Sequence, residues 1–468
     1  MSTQRKNVIA WLVGGVACAL LIGWVVGGTG GQVVTAQAGT WATDAARRQD
    51  VRLLETRDAS GSPAFPVQAG DLLFFTNVGT SYGATNTQNS VVVINAKTKK
   101  PIAISDLDPA WSENFGSHGI AVSPDARYIY LPAISPSSSG KPGSILVLDG
   151  RTLKIHQIIG TSADRAHHVK IYEDWTGKQR ILVEDFNWVN MIRPDRDPSG
   201  LGGFYILDPA DNNKVIAGMT PGQFRANPYA GFTAPDGRYL YFSFAGAPEI
   251  RMSYGVPGMV AKIDMQTWKV VQYIPMGNYP IWTDFSWDGK WAWTTQSGSN
   301  SVMKLQRTSA PGQPEKVVAE IPTGPGPYAV RLNLDDTDVW VADKGETIPG
   351  MRGSSITVID AATDTVKKTI QTQCITNDHL MLSPDGSEMW ATCNQSHEVV
   401  VLDTKTYEIK TRIPMPNGGD THGGSFVLYT AGPGGQIVAE TVSDQNGLHG
   451  SARTAAMNGV PWAPGSGR

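Results

Sequence analysis

The chain has 468 residues, a formal net charge of -3 and 17% charged side chains. That balance provides neither the basic footprint of a nucleic-acid binder nor an acidic tail, so a phosphate-backbone partner is excluded from the expectations. The length outgrows a single compact core, which leaves two domains or one repeat architecture that adds units.

The first 38 residues predict export. Arg5 and Lys6 precede an apolar run from Val8 to Val26, and TAQA, ending at Ala38, supplies the small-x-small pattern of a cleavage site. The competing reading is an uncleaved anchor through residues 8–26, because about 20 apolar residues rising ~1.5 Å each just span a hydrocarbon core of ~30 Å. Both place the protein in the periplasm or another extracytoplasmic space. Residues 39–69 are polar and weakly patterned and read as an extended surface segment. Residues 70–468 form the domain proper, with a loop at its C-terminal end.

Regular structure begins at DLLFFTNV (Asp71–Val78) and SVVVINAKTKKPIAI (Ser90–Ile104), three β-rich runs around polar turns. A strand-turn-strand unit follows, SHGIAVSPDARYIYLPA (Ser117–Ala133). It returns as YAGFTAPDGRYLYFSF from Tyr229, WTDFSWDGKWAWTTQ from Trp282, YAVRLNLDDTDVWVAD from Tyr328 and DHLMLSPDGSEMWATC from Asp378. Third strands such as GSILVLDGRT and SSITVIDAATD and fourth strands such as VKKTIQT complete each unit. The repeat of roughly 47 to 61 residues is that of four-stranded propeller blades. Six starts fall near His118, His168, Tyr229, Trp282, Tyr328 and Asp378, and a seventh, at Thr421, has no complete blade after it. The three orphan strands before residue 105 and the chain after His422 therefore predict one shared blade. The expectation is an all-β, seven-bladed β-propeller closed by strands from both chain ends, which leaves no exposed sheet edge where the ring closes. A long two-sheet sandwich is the alternative, and the regular recurrence of the turn argues against it.

Three cysteines are present, and Cys18 lies in the apolar run. Cys374 and Cys393 flank a strand pair, which in an oxidising compartment predicts a disulfide; metal ligation is the sharper alternative. No CxxCH motif for covalent haem attachment occurs.

Of the eight histidines, His118, His168 and His422 stand at inner-strand starts, His379 is within one residue of that register, and His167 adjoins His168. Inner strands line the central channel of a propeller, and the blades carrying these residues are consecutive once the ring closes. An imidazole arc is therefore expected at the channel mouth, facing an aromatic half made by Tyr229, Trp282 and Tyr328. Several neutral imidazoles with little thiolate suit copper or another non-haem metal, although any one of them has a plainer structural role open to it. His449, in NGLHGSAR, joins the candidate ligands if its glycine-rich segment folds back over the channel. His156 and His397 fall on an outer strand and a connection. Asp284 and Asp378, close to inner-strand starts, are the candidate proton acceptors. Glu184 and Asp185 sit on a second strand with less certain reach, and Lys344 carries the same doubt. The third- and fourth-strand patterns GSSITVIDAATDTVKKTI (Gly353–Ile370) and HEVVVLDTKTYEIKTRI (His397–Ile413) resemble the YVTN-type propeller repeats. Those repeats also resemble the catalytic propellers of nitrous oxide reductase and copper thiocyanate dehydrogenase and the haem-binding propeller of cytochrome-type nitrite reductases. The likeness covers roughly residues 70 to 430 and speaks to fold more than to activity. In nitrous oxide reductase, inner-strand histidines including an adjacent pair hold copper, and His167-His168 with His118, His379 and His422 is similar. The separate copper domain of that family has no counterpart in these residues.

The resemblance to thiocyanate dehydrogenase, an exported propeller with late histidines, implies copper on His118, His167, His168, His379, His422 and His449. It also implies a small inorganic or sulfur-containing substrate and a periplasmic electron acceptor. Trp282 and Tyr328 stand where more imidazole would be expected, which puts a three-copper site in doubt. The alternatives are a non-catalytic propeller binding a protein or surface partner, and a haem binder in which His118 resembles a distal ligand.

Overall fold

The computed structural model describes residues 48, 51–79, 89–107, 118–133, 144–160, 166–185, 203–219, 228–244, 257–308, 313–345 and 352–463. The export segment expected over residues 1–38 lies outside them. No helix among the described residues is long and apolar enough to cross a membrane.

Seven antiparallel sheets form a ring. Blade 1 contains Ala121–Val122, Tyr128–Ala133, Ser144–Asp149 and Ile155–Gly160. Blades 2 to 6 have innermost strands Ala166–Glu173, Ala230–Thr233, Pro280–Phe285, Pro327–Leu332 and Asn377–Leu382, each followed outward by three more in chain order. Blade 7 takes its innermost blade strand, Asp420–Ala431, from late in the chain. The other three, Leu72–Gly79, Ser90–Asn95 and Lys100–Ile104, come from before residue 105. Leu72–Gly79 pairs antiparallel with Asp420–Ala431 from Leu72↔Leu428 to Gly79↔Asp420, so the ring is closed by chain from both sides, as the orphan strands predicted. Successive blades touch all the way round, through their innermost strands except between blades 2 and 3, where Gln179–Asp185 meets Ala230–Thr233, and blade 7 contacts both blade 6 and blade 1.

The recurring turn has a local cause. In APDG, SWDG and SPDG the aspartate side chain accepts from the amide two residues on, as in Asp236–Arg238, Asp288–Lys290 and Asp385–Ser387. The glycine takes positive φ: +67° at Gly237, +68° at Gly289 and +71° at Gly386. Ala126 and Asp336 adopt the same conformation at φ 55° and 57° without glycine. The aromatic second strands are core: Trp293, Trp340 and Trp390 are fully buried. Trp390 packs on Phe74 and Phe426 across the closing blade, with centroids 4.7 and 5.2 Å away. Buried aromatics of this kind each contribute about 1.5–3 kcal/mol from area alone.

Two terminal expectations are revised. Within residues 39–69, Arg52–Thr56 is a fifth, outermost strand on blade 1, and Arg48 is buried, 2.9 Å from Asp185. The C-terminal loop is structured instead: Ile437–Asp444 returns along Asp420–Ala431 on its channel side, followed by Gly447–Leu448 and a helix over Gly450–Met457. Val442 is fully buried there, and Glu440 accepts from Ser451 N at the start of the helix at 2.7 Å. Cys374 and Cys393 are joined in a disulfide across blade 6.

Candidate metal centre

The inner strands do not simply alternate where they enter the channel. In blades 2, 4, 5, 6 and 7 the first turn of pairing contains one extra inner-strand residue, for example between Asn377↔Cys393 and Leu380↔Ala391, or between Ala166↔Asp185 and Val169↔Val183. A β-bulge releases consecutive side chains from strict alternation and re-aims them. This lets both His167 and His168, and both Asp378 and His379, face the channel. In blades 2, 4, 6 and 7 the second-strand residue opposite the bulge is polar, whereas in blade 5 it is Ala342. Thr392 Oγ1 receives His379 N at 3.0 Å and donates to His422 O at 2.9 Å, and Thr295 Oγ1 does the equivalent for Trp282 and Tyr328. In blade 2 that position is Glu184.

Five imidazoles converge. Ring centroids are 3.9 Å apart for His167–His168, 4.3 Å for His118–His422, 4.6 Å for His118–His167, 5.3 Å for His118–His168 and 5.5 Å for His168–His379. His118 is half-buried and the other four are buried. Nitrogen atoms of His118, His167 and His168 lie within 4.8 Å of one another, as do ligand atoms of His118, Asp378 and His422, so His118 is common to two potential ligand sets. The aromatic half is in place: Trp282 lies 4.7 Å and Tyr328 5.6 Å from His379, and Tyr229 lies 5.1 Å from His167. The Tyr328 hydroxyl is 3.1 Å from His118 Nε2 and 2.8 Å from the Tyr229 hydroxyl.

Carboxylates fix the tautomers. His168 Nδ1 is 2.9 Å from Glu184 Oε2, and His422 Nδ1 is 2.8 Å from Asp378 Oδ2. An Nδ1–H donated outward leaves the Nε2 lone pair inward, the arrangement that metal-binding histidines use. His168 Nε2 and both ring nitrogens of His379 have no hydrogen-bond partner among the described residues. Burial, with neighbouring positive or protonatable groups, pushes His118, His167 and His168 well below the ordinary imidazole range and His379 down to about 3. These four rings are therefore neutral, the form in which an imidazole can bind a cation. Burial works against the Asp378 carboxylate too. Lys344, 2.8 Å from Oδ1, and the neighbouring imidazoles outweigh it and hold the group well below its usual range. Lys170 Nζ donates to Glu184 Oε1. Burial drives that lysine down and that glutamate up, and each partner resists the other's shift.

Two expected site residues lie elsewhere. His449 Nε2 is 2.8 Å from Asp444, and Asp284 is 2.9 Å from Arg331 Nη1 and accepts from Leu332 N. Both line a pocket at the far ends of the inner strands, with Tyr172, Trp287 and Arg453. The C-terminal hairpin carries His449 past the cluster to that face. His156 stacks on Tyr128 at the rim, and His397 pairs with Asp420 at 3.0 Å. Glu184 and Lys344 reach the site despite the doubt that attached to them. Lys170 was missed, although its spacing of two from His168 places both on one face of a strand.

No protein-family model matches the chain and no curated protein does. Solved structures do. A candidate 6-phosphogluconolactonase of Bacteroides uniformis is 13% identical, with TM-score 0.55 over 76% of this chain and 99% of that one. A periplasmic gluconolactonase of Pseudomonas aeruginosa is 15% identical, with TM-score 0.52 over 75% and 98%. Hydrazine synthase of Kuenenia stuttgartiensis is 16% identical, with TM-score 0.50 over 68% and 90%. At these identities the likeness is one of fold.

Proposed function

We propose that this chain is an exported copper oxidoreductase acting on a small inorganic or sulfur-containing molecule, with the metal held at the channel mouth by His118, His167, His168, His379 and His422. The observation that carries this is five converging imidazoles, of which His167, His168 and His379 are both buried and neutral, with His168 Nε2 and His379 offering nitrogens that have no hydrogen-bond partner among the described residues. Burying polar nitrogens without partners costs about 1–3 kcal/mol each unless something is bound there. The donor set is imidazole with a carboxylate and no thiolate, since both described cysteines are in the disulfide. That chemistry suits copper, and the short spacing of the rings suits ions better than a haem macrocycle. The disulfide also supports the extracytoplasmic assignment.

Copper, when bound, supplies one-electron redox chemistry and Lewis acidity. The chain's own residues do the rest. Glu184 and Asp378 orient His168 and His422. Lys344 keeps Asp378 ionised, which makes it an orienting group and only a weak proton acceptor. Trp282, Tyr328 and Tyr229 exclude bulk water from one side. The Tyr229–Tyr328–His118 hydrogen bonds give a small ligand hydroxyl partners at the aromatic wall.

The test is elemental analysis and electron paramagnetic resonance on protein purified from its native compartment. Copper is expected in the wild type and is expected to fall at least tenfold in occupancy in His118→Ala and His168→Ala. Wild-type protein with no transition metal above background refutes the proposal, and copper retained in both variants refutes the assigned ligands.

A further inference from the structure

One polar side chain near the imidazoles belongs to none of the blades. Gln445 follows Ile437–Asp444 and is fully buried in the channel. Its Nε2 donates to Val169 O at 2.5 Å and lies 3.5 Å from Ile120 O, which fixes the amide orientation. Arg331 Nη2 holds its main-chain oxygen at 2.5 Å. Gln445 Oε1 then has no hydrogen-bond partner among the described residues. The residues above it are Gly119 and Gly423, each immediately following a histidine of the arc. A Cβ at Gly423 would lie 2.7 Å from Gln445 Oε1. A Cβ at Gly119 would lie 3.1 Å from Nε2 and 3.5 Å from His168 Cδ2. The two glycines thus let the amide approach closely the strands that carry His118 and His422, with His168 beside Gly119.

We propose that Gln445 is the floor of the channel site, with Oε1 accepting a hydrogen bond from a protic ligand, such as water, hydroxide or an X–H substrate, held by the histidines. The assignment rests on the metal reading for the identity of what the imidazoles hold. It supplies a specificity that the imidazoles alone lack, because a ligand that can donate is favoured over one of equal size that cannot. A buried carbonyl oxygen left without a donor is costly, so the floor selects by what it leaves unpaired. Gln445 is a positioning residue that touches the ligand from the side opposite the channel entrance.

The experiment has two arms. In crystals of the wild-type protein, an ordered solvent or ligand atom is expected within about 3.2 Å of Gln445 Oε1 on its imidazole side. An Oε1 packed only against carbon overturns the assignment whether or not copper is bound. In the second arm the copper-loaded protein is titrated with azide, which carries no proton to donate, and binding is followed by its charge-transfer absorption. Gln445→Leu, or Gln445→Met should the leucine variant fail to fold, is expected to keep copper stoichiometry and tighten azide about tenfold, because the displaced water has lost its acceptor. Gly423→Ala, whose added Cβ would fall 2.7 Å from Oε1 and displace the amide, is expected to move azide affinity in the same direction. Azide affinity within twofold of wild type in these folded variants overturns the proposal. Absence of copper from the wild type counts against the metal reading alone, and the crystallographic arm then decides the floor.

Discussion

Substituting Glu184 by glutamine perturbs two neighbours at once. The carboxylate bonds His168 Nδ1 at 2.9 Å and Lys170 Nζ, and it accepts Gly231 N at 2.8 Å, all in a region with 0–1% side-chain exposure. Glutamine keeps an acceptor but removes the charge that faces a fully buried ammonium, which lies over Phe232 and Trp282 at 4.3 and 5.1 Å. Breaking such a pair from one side costs about 3–5 kcal/mol, and the retained acceptor places this case at the lower end, about 3 kcal/mol. Lys170→Met alone strands the carboxylate and has a similar cost. The double variant removes both members of the pair and is expected within about 1 kcal/mol of wild type, a coupling of about 5 kcal/mol. Denaturant midpoints of the four proteins measure this, and strictly additive losses would refute the pairing. Metal affinity separates orientation from stability. Glu184→Gln and the double variant should both lose 10- to 100-fold in affinity, because His168 has lost its carboxylate partner. Unchanged affinity in a folded Glu184→Gln protein would show that the tautomer of His168 is not set by this contact.

Burial raises the Asp343 carboxyl to about 7 despite hydrogen bonds from Ser355 and Thr357. A folded pKa above the unfolded value means the native state holds a proton that the unfolded chain has lost. Stability should therefore fall by about 1.4 kcal/mol per pH unit from about pH 4 to pH 7 and then level off. Asp343→Asn should remove that component from denaturant midpoints taken across the range, and identical pH slopes would contradict the assignment. Reducing the Cys374–Cys393 bridge, which closes a 19-residue separation, should cost about 3 kcal/mol and leave metal stoichiometry unchanged. Thr392→Val removes the hydroxyl that joins His379 N to His422 O; a loss of about 1–3 kcal/mol is expected by denaturation, together with weaker metal binding. Wild-type behaviour in both assays would mean that the bulge holds itself.

The blades were legible because their turns are chemical necessities. Aspartate capping an amide and a residue at positive φ, most often glycine, recur where inner strands reverse, and the unpaired strands at Asp71–Ile104 and Thr421 could only complete each other. The histidine arc was legible because it depends on blade order, which the ring fixes. What alternation obscured was the reach of single residues. A period of two sends one of His167 and His168 away from the channel, and only the bulge brings both in. Glu184 was discounted because it lies on a second strand, yet the residue opposite a bulge is the one second-strand position that looks into the site. His449 and Asp284 were assigned by proximity to glycines and strand starts. The destination of His449 depends on the Ile437–Asp444 return strand, and Asp284 lies at the far end of its inner strand Pro280–Phe285. Gln445 gave no sequence signal, since a lone glutamine after Asp444 looks like any loop residue.

The closing blade has a consequence for biogenesis. His118 stands early in the ring and His422 on the strand that shuts it, while the floor at Gln445 comes later still. A nascent chain that has folded its first six blades holds His118, His167, His168 and His379, but neither the fifth imidazole nor the floor. The ring that sets their spacing is also still open at that stage. Long-range pairing of this kind forms last. On the proposed metal reading, acquisition would be timed to completion of the polypeptide, and a chain exported as proposed would cross the membrane metal-free and be loaded on the far side.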